Sequence, residues 1–244
     1  MMMVSKFQTA LQWVFPPRCV ACGALVDGDF SLCGHCWAQT PFLGGTQCDF
    51  CGVQVTADSV EDQLTCDDCQ TRERPWIAGN ASLAYEGVAR KLVLALKHGD
   101  RLDIAVPAAK WMSGSARNYV EENCLVAPVP LHWSRFLKRR YNQSALLGRN
   151  MARNLGIEFC PDALARPRVA GNTAGLTTDE RFSKLENAIE PHHKRGSRMD
   201  GRRVILVDDV MTSGATLTAA AKAALQAGAK DVCVVTLARV AKDA

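Results

Sequence analysis

Residues 203–216, Arg-Val-Ile-Leu-Val-Asp-Asp-Val-Met-Thr-Ser-Gly-Ala-Thr, decide the fold that the sequence predicts. Residues 204–207 are a continuous apolar run, which is typical of a central parallel strand covered on both faces. Asp208 and Asp209 follow the run, then small and hydroxyl residues, then an alanine-rich helix predicted over residues 217–227. A strand, a turn and a helix in this order predict an α/β fold, whose ligands bind outside the carboxyl ends of the strands.

The turn after Asp209 has the composition of a phosphate-binding loop. Its hydroxyl groups can donate hydrogen bonds to an anion, its glycine lets the backbone approach closely, and the next helix adds its positive N-terminal end. The predicted phosphate contacts are Thr212, Ser213, Gly214, Ala215 and Thr216. The loop is neither a Walker loop nor a Rossmann fingerprint, since the chain contains neither G-x-x-x-x-G-K-[ST] nor G-x-G-x-x-G.

The two carboxylates beside this loop restrict its ligand. Carboxylates repel phosphate unless they bind another part of the same molecule, such as vicinal sugar hydroxyls or a bridging Mg²⁺. A phosphorylated ribose meets both needs, and the alternative is an ordinary strand–helix turn with exposed acids. The stretch resembles the phosphoribosyl pyrophosphate (PRPP) signature of type I phosphoribosyltransferases. That resemblance implies that Asp208 and Asp209 hold the ribose hydroxyls, that the loop holds the 5′-phosphate, and that Mg²⁺ accompanies PRPP.

Charge divides the chain near residue 79. Residues 1–79 carry four Lys and Arg against nine Asp and Glu, a net −5, whereas residues 80–244 carry 25 against 16, a net +9. This asymmetry predicts an N-terminal domain over residues 1–79 and a larger domain over residues 80–244. No apolar run reaches the roughly 18 residues that span a bilayer, and we expect residues 1–15 to form a short amphipathic helix, not a signal peptide. We therefore expect a cytoplasmic protein.

Eight of the eleven cysteines form four C-x-x-C pairs. They are Cys19 with Cys22, Cys33 with Cys36, Cys48 with Cys51, and Cys66 with Cys69. Four thiolates complete a tetrahedral Zn²⁺ site, so the four pairs predict two structural zinc sites in a double zinc ribbon. We favour sequential pairing, first with second and third with fourth, over interleaved pairing.

Other residues of this module refine that prediction. Gly23, Gly34 and Gly52 are expected at turns that need unusual backbone angles. His35 competes as a zinc ligand, although we expect it to face solvent because four cysteines already complete each site. The acidic charge argues against nucleic-acid binding by the ribbons, since phosphate-backbone affinity needs Lys and Arg. We expect a structural or partner-docking role, with redox chemistry as the alternative.

The rest of the chain alternates between strand and helix patterns. Such alternation predicts a parallel sheet flanked by helices. The predicted strands cover residues 80–85, 125–130 and 231–238, and the predicted helices cover residues 88–97, 102–120 and 142–155. Asn142 is expected to cap the last of these helices and Gly156 to end it. Residues 131–141 are predicted as a loop, residues 166–184 as a polar segment, and residues 191–203 as a basic linker.

Further motifs extend the resemblance over nearly the whole chain. The ribbons are followed by Leu96-Lys97 with Gly99-Asp100, by Val129-Pro-Leu-His132, by Arg139-Arg-Tyr-Asn-Gln143 and by the Asp-Asp phosphate loop. This order is similar to that of the ComF family, which includes the competence proteins ComF and ComFC and the GntX-type proteins. Its members join a zinc-binding N-terminal part to a type I phosphoribosyltransferase domain. The resemblance implies a cytoplasmic role in natural transformation, on incoming single-stranded DNA.

Two loops depart from the family pattern. Arg140 stands where the family has glycine between Arg and Phe or Tyr. In the flexible catalytic loop, Leu176 and Arg181 are kept, the usual Gln is absent, and Lys184 stands at the position of Asn. Arg181 is the predicted catalytic residue of this loop. Together with Lys97 and Arg139, it is also a candidate to bind pyrophosphate, because basic side chains on loops can close over an anion.

Three functions remain open from the sequence. The first is a PRPP-binding phosphoribosyltransferase whose acceptor the sequence does not identify. The second is a single-stranded-DNA-binding protein that uses the PRPP site as a sensor or phosphate anchor without turnover. Its DNA contacts would come from Trp133 and Phe136 among Arg135, Lys138, Arg139 and Arg140, with charge for the backbone and aromatic rings for stacking. The third is a scaffold whose ribbons dock a helicase or a channel protein of DNA uptake.

Overall fold

The computed structural model describes residues 15–56, 63–167 and 175–241. Except for Phe15, the helix expected over residues 1–15 lies outside these ranges. Among the helices that the structure describes, none combines the length and apolar character needed to cross a bilayer.

A five-stranded parallel sheet forms the centre of the molecule, which confirms the predicted α/β fold. Its strands are β1 (Ala78–Ala84), β2 (Cys124–Pro128), β3 (Glu158–Phe159), β6 (Arg203–Met211) and β7 (Asp231–Arg239). They lie in the order β1-β7-β6-β2-β3. A separate antiparallel pair joins β4 (Leu164–Ala165) to β5 (Glu190–Pro191). The three strands predicted in the body each begin within two residues of their expected start.

The strand β6 runs further than its apolar pattern indicates. Residues 204–207 are fully buried, as expected for a central strand, but the strand continues through both acids to Met211. The reason is its pairing, because β7 stays in register with β6 up to Met211 and Arg239. Sequence alone placed the acids after the strand, whereas the structure places them within it.

Helices cover both faces of the sheet. In chain order they are α1 (Gly34–Ala38), α2 (Asp67–Gln70), α3 (Gly87–His98), α4 (Ala105–Ala116), α5 (Trp133–Arg139), α6 (Gln143–Leu155), α7 (Thr178–Leu185) and α8 (Ala215–Gln226). Helices α3, α4 and α6 pack on one face of the sheet. The alanine-rich α8 packs on the other face, where small side chains allow a close approach to the strands. The expected cap of α6 by Asn142 and its end at Gly156 are confirmed.

Three segments differ from the sequence prediction. Residues 131–141 contain the helix α5 and not only a loop, because the side chain of His132 accepts a hydrogen bond from the Ser134 N–H and caps it. The polar segment contains α7, which begins with a capping box formed by Thr177 and Glu180. The basic linker contains a 3₁₀ turn over Gly196–Met199.

The two halves of the cysteine module pack on opposite faces of the sheet. Val20 of the first half lies in the same core as α3, α4 and α6, whereas Cys48 and Cys51 of the second half lie in the core around α8. Between them, residues 41–43 run antiparallel along the free edge of β1 and form a bridge from Phe42 to Leu83. This segment covers an edge strand that would otherwise present unpaired backbone groups.

Candidate functional site

The two acids lie at a topological switch point of the sheet. Strands β2 and β6 are neighbours, but the chain continues from β2 toward β3 on one side and from β6 toward β7 on the other. Pro128, the last residue of β2, pairs with Val207, so the residues of β6 beyond Val207 are paired with β7 alone. A crevice outside the carboxyl ends of two such strands is where open α/β sheets bind ligands.

Neighbouring elements hold the acids in place, but a buried oxygen of Asp209 has no partner in the part of the chain that the structure describes. Oδ1 of Asp208 accepts hydrogen bonds from Ser144 Oγ at 2.8 Å and from the Asp209 N–H at 2.9 Å. Lys97 Nζ, near the end of α3, lies 3.0 Å from Asp209 Oδ1. In contrast, Asp209 Oδ2 is buried and has no hydrogen-bond partner among the described residues. A buried carboxylate oxygen of this kind fits a ligand hydroxyl or a metal-bound water as its missing donor.

The carboxyl group of Asp208 is electrostatically perturbed. Burial, reinforced by the charge of Asp209, raises the pKa of Asp208 to about 7, although the hydrogen bond from Ser144 opposes this. Two adjacent carboxylates at the edge of a core cannot both ionise freely. Perturbed acids in a crevice are typical of functional sites.

The predicted phosphate loop connects these acids to the first turn of α8. Gly214 caps the helix with φ of 82°, an angle that favours glycine. Thr212 is exposed and Thr216 half-buried, whereas Ser213 is buried and its Oγ accepts a hydrogen bond from the Ala215 N–H at 3.4 Å. The structure therefore brings all five predicted loop residues together with both acids along one continuous strand, loop and helix.

Two buried arginines lie against this loop, and neither is indicated by a sequence motif. Arg239 Nη1 donates to the carbonyl oxygens of Met211 at 3.3 Å and Thr212 at 2.5 Å. Arg74 Nη1 donates to the carbonyl oxygen of Ser213 at 3.0 Å. Arg74 comes from the cysteine module, 139 positions earlier in the chain, so no local pattern signals the contact. Ser144, which contacts Asp208 across 64 positions, was missed for the same reason.

The predicted basic residues lie on three different elements. Lys97 pairs with Asp209, as described. Arg139 ends α5. Arg181 lies on α7, which packs against the first turn of α8 through Phe182 and Leu185, and its buried Nε has no hydrogen-bond partner among the described residues. The roles of Arg139 and Arg181 in binding stay predictions.

The backbone conformation of Arg140 explains why the family pattern has glycine at this position. It is the C-cap of α5 and adopts the left-handed conformation with φ of 65°. This conformation costs a residue with a Cβ roughly 1 kcal/mol, which glycine avoids. The loop geometry that glycine favours is thus kept here despite the substitution.

The eight paired cysteines form two clusters in the sequential arrangement. One contains Cys19, Cys22, Cys33 and Cys36, and the other contains Cys48, Cys51, Cys66 and Cys69. Within each cluster the sulfur atoms lie within 4.8 Å of one another. Tetrahedral zinc with Zn–S bonds of about 2.3 Å requires sulfur atoms about 3.8 Å apart. One pair in each cluster has nearly this spacing, with 3.7 Å from Cys22 to Cys33 and 3.6 Å from Cys51 to Cys66.

Other predictions for the ribbons have mixed outcomes. His35 is exposed and belongs to neither cluster, as expected. Gly23 and Gly52 have the predicted positive φ values of 79° and 68°. The expectation for Gly34 is wrong, because this residue begins the helix α1, where ordinary helical angles suffice.

A wide cleft of about 1080 Å³ lies beside the switch point. It runs along α5, the start of α6 and β3, and its lining includes Trp133, Phe136, Arg140 and Arg149. The two aromatic side chains are 64% and 48% exposed, so they are not core residues. The side chains of Arg135 and Lys138, also predicted for this surface, lie outside the described part of the structure.

Comparison with known proteins agrees with both halves of this architecture. Residues 10–70 match a double zinc ribbon domain, and residues 142–244 match a phosphoribosyl transferase domain. The chain is 28% identical over 230 residues to the DNA utilization protein YhgH of Shigella flexneri, covering 92% of this chain and 97% of the relative. It is 27% identical to competence protein F of Haemophilus influenzae, covering 91% and 96%. It is 25% identical to competence protein ComFC of Bacillus subtilis, covering 88% and 87%.

The fold and the site therefore define the class of protein. It joins a parallel-sheet domain of the phosphoribosyltransferase class to a double zinc ribbon. Within that class, the two matched domains and the competence proteins among the relatives are consistent with the ComF family that the sequence resembles.

Proposed function

We propose that this protein binds PRPP with Mg²⁺ in the crevice between β2 and β6. The observation that carries the proposal is the buried Asp209 Oδ2, which has no hydrogen-bond donor in the described part of the chain and lies three residues before the phosphate-type loop. Asp208 and Asp209 would hold the ribose hydroxyls, and residues 212–216 the 5′-phosphate. A ligand with hydroxyls and phosphate on one molecule satisfies the carboxylates and the loop together.

The charges around the crevice suit a departing pyrophosphate. Lys97 already lies at the acids, so its ammonium group is available to the 1-pyrophosphate of a ribose bound there. Arg139 and Arg181 would complete the contacts to this group from their own helices. Bound Mg²⁺ would neutralise part of the phosphate charge. If the protein turns PRPP over, the class of reaction is phosphoribosyl transfer with release of pyrophosphate, in which Arg181 is the proposed catalytic residue.

The cellular role that we propose is in DNA uptake or utilisation, in the cytoplasm. The names of the relatives support the role, since they include competence proteins and DNA utilization proteins. The eight paired cysteines support the location, because thiolates bind zinc only while they stay reduced, and the cytosol keeps thiols reduced.

Calorimetric titration of the full chain with PRPP and Mg²⁺ tests the binding site. We expect Asp208→Ala/Asp209→Ala to weaken PRPP binding by about 100-fold or more, because hydrogen bonds to charged groups contribute about 1.5–3 kcal/mol each. Asp27→Ala/Asp29→Ala, which removes two exposed acids of the first ribbon, is the matched control. Equal PRPP affinity in both double variants would reject the site. Pyrophosphate release, followed in the same samples with and without single-stranded DNA, distinguishes a transferase from a sensor.

The cleft beside the switch point favours single-stranded DNA as a second ligand. Its exposed Trp133 and Phe136 offer faces on which bases can stack, and Arg140 and Arg149 supply positive charge for the backbone. DNA binding here would belong to the basic part of the chain and not to the acidic ribbons. The scaffold alternative, with a docked helicase or channel protein, gains support if neither PRPP nor DNA binds.

Trp133→Ala should weaken binding of a short single-stranded oligonucleotide by about tenfold, since stacking on an aromatic residue contributes about 1–3 kcal/mol per base. Leu137→Ala is the control, because Leu137 is equally exposed on the same helix at 67% but has no aromatic face. Fluorescence anisotropy at several salt concentrations measures both variants. The cleft is excluded as the DNA site if the two variants bind alike.

A further inference from the structure

A single buried side chain joins the second zinc ribbon to the phosphate loop. Arg74 Nε donates to the sulfur of Cys69 at 3.4 Å, and Nη2 pairs with Asp68 at 2.9 Å. The third nitrogen, Nη1, donates to the carbonyl oxygen of Ser213 at 3.0 Å. One guanidinium group thus contacts a predicted zinc ligand and the loop at the same time.

The site is built to admit this arginine. Its side chain is only 1% exposed, and a buried charge needs compensation, which Asp68 and the sulfur of Cys69 provide. Gly214 leaves the necessary space, since a Cβ at that position would lie 2.8 Å from Arg74 Nη1. The glycine at position 214 therefore makes room for a protein side chain, that of Arg74.

The arginine contacts fix the direction of the loop amides. In a trans peptide the carbonyl oxygen and the next N–H point in opposite directions. Because Arg74 holds the carbonyl of Ser213, the N–H of Gly214 points away from the ribbon. Arg239 holds the carbonyl of Thr212 in the same way and so directs the N–H of Ser213. Two successive amides are thereby presented on the side of the loop opposite to the arginines.

The first ribbon has different contacts. Arg101 Nη2 donates to the carbonyl oxygen of Val20 at 3.1 Å, and Phe42, in the segment that follows the first ribbon, packs edge-to-face on Trp111 at 5.3 Å. These contacts lie on the opposite face of the sheet from α8. Arg101 is therefore a natural control for Arg74, since both are arginines that donate to a backbone carbonyl oxygen between a ribbon and the body.

We infer that the second zinc site and the phosphate loop are coupled through Arg74, a positioning residue that holds the loop amides in their binding direction when zinc is bound. The inference rests on the proposed PRPP site for its ligand. It assigns the second ribbon a part in ligand binding that the first ribbon does not share. By thermodynamic reciprocity, a phosphate ligand in the loop must then strengthen zinc binding at the second site.

Arg74→Lys and Arg101→Lys are the variants to compare in the full zinc-loaded chain. Lysine keeps the charge but cannot reach three acceptors with a planar fork. We expect Arg74→Lys to weaken PRPP binding by about tenfold, which corresponds to the loss of roughly one hydrogen bond from a loop amide to the charged phosphate. Arg101→Lys should bind PRPP as wild type does. Hydrogen exchange should show faster exchange of the Thr218 amide, which donates to the carbonyl oxygen of Gly214 at 2.8 Å, in Arg74→Lys alone.

Chelator competition supplies a readout in the unaltered protein. Saturating PRPP should raise the zinc affinity of one of the two sites in wild type and of neither in Arg74→Lys. Unchanged amide exchange in Arg74→Lys, or zinc affinities in wild type that do not respond to bound PRPP, overturns the coupling. Failure of wild type to bind PRPP overturns the proposed function instead, and the exchange experiment then still decides whether Arg74 holds the loop.

Discussion

Cys51→Ser is expected to cost the protein its fold, whereas Cys22→Ser is expected to cost it only one zinc ion. Cys51 is 1% exposed and belongs to the core around α8, together with Trp76, whose Nε1 donates to Phe50 at 2.7 Å. Cys22 is exposed. Structural zinc sites contribute on the order of 10 kcal/mol, which is comparable to the whole stability of a domain. Because ligands of the second zinc site lie in the core around α8, losing that zinc also destabilises the sheet.

Zinc analysis and thermal unfolding followed by circular dichroism measure this difference. Each variant should retain about one zinc ion per chain. Only Cys51→Ser should lose its cooperative unfolding transition or become insoluble. Equal melting temperatures for the two variants would mean that the second ribbon is not part of the core that stabilises the sheet.

Asp208→Asn is expected to stabilise the protein above neutral pH while weakening its binding of PRPP. The folded state raises the pKa of Asp208 to about 7, well above that of an aspartate in an unfolded chain. Because Asp208 ionises at a lower pH in the unfolded chain than in the folded one, the free energy of unfolding decreases as the pH rises from about 4 to 7. Above pH 7 this loss of stability stays constant. Asparagine avoids this loss, which amounts to at most about 4 kcal/mol.

The two effects have separate measurements. The melting temperature of Asp208→Asn should exceed that of wild type by several degrees at pH 8, and the difference should begin to shrink near pH 7 and decrease further toward pH 5.5. Calorimetry should show PRPP affinity about 10-fold lower or weaker still, since a charged acceptor is lost. Asp27→Asn, at an exposed position, should change neither quantity. A wild-type protein that is the more stable of the two at pH 8 would contradict the raised pKa of Asp208.

The parts of the fold that sequence predicts are those that local residues determine. The strand β6 and the helix α6 were predicted because an apolar run, an Asn cap and a terminal Gly lie within the elements themselves. The zinc sites were predicted because ligand number and spacing restrict the chemistry. The helix α7 was missed although its capping box at Thr177 was readable, because the polar composition of the segment obscured it.

What sequence could not supply is the support of the site. The pairing of β6 beyond Val207 depends on β7, and the contacts of Asp208 with Ser144 and of Ser213 with Arg74 join distant segments. Each is decided by how elements pack and not by which residues are adjacent. The acids and loop were therefore visible in sequence, whereas the side chains that orient them were not.

The segment over residues 41–43 has a consequence for how the chain assembles during synthesis. The partner of β1 in the sheet is β7, with Ala78 opposite Cys233, so β1 leaves the ribosome long before its principal neighbour exists. Residues 41–43 are already made by then and pair with the other edge of β1 through Phe42 and Leu83. A nascent chain that has loaded its zinc can thus shelter its first strand, which is otherwise a template for aggregation. Starving growing cells of zinc should therefore harm new copies of the protein more than finished ones.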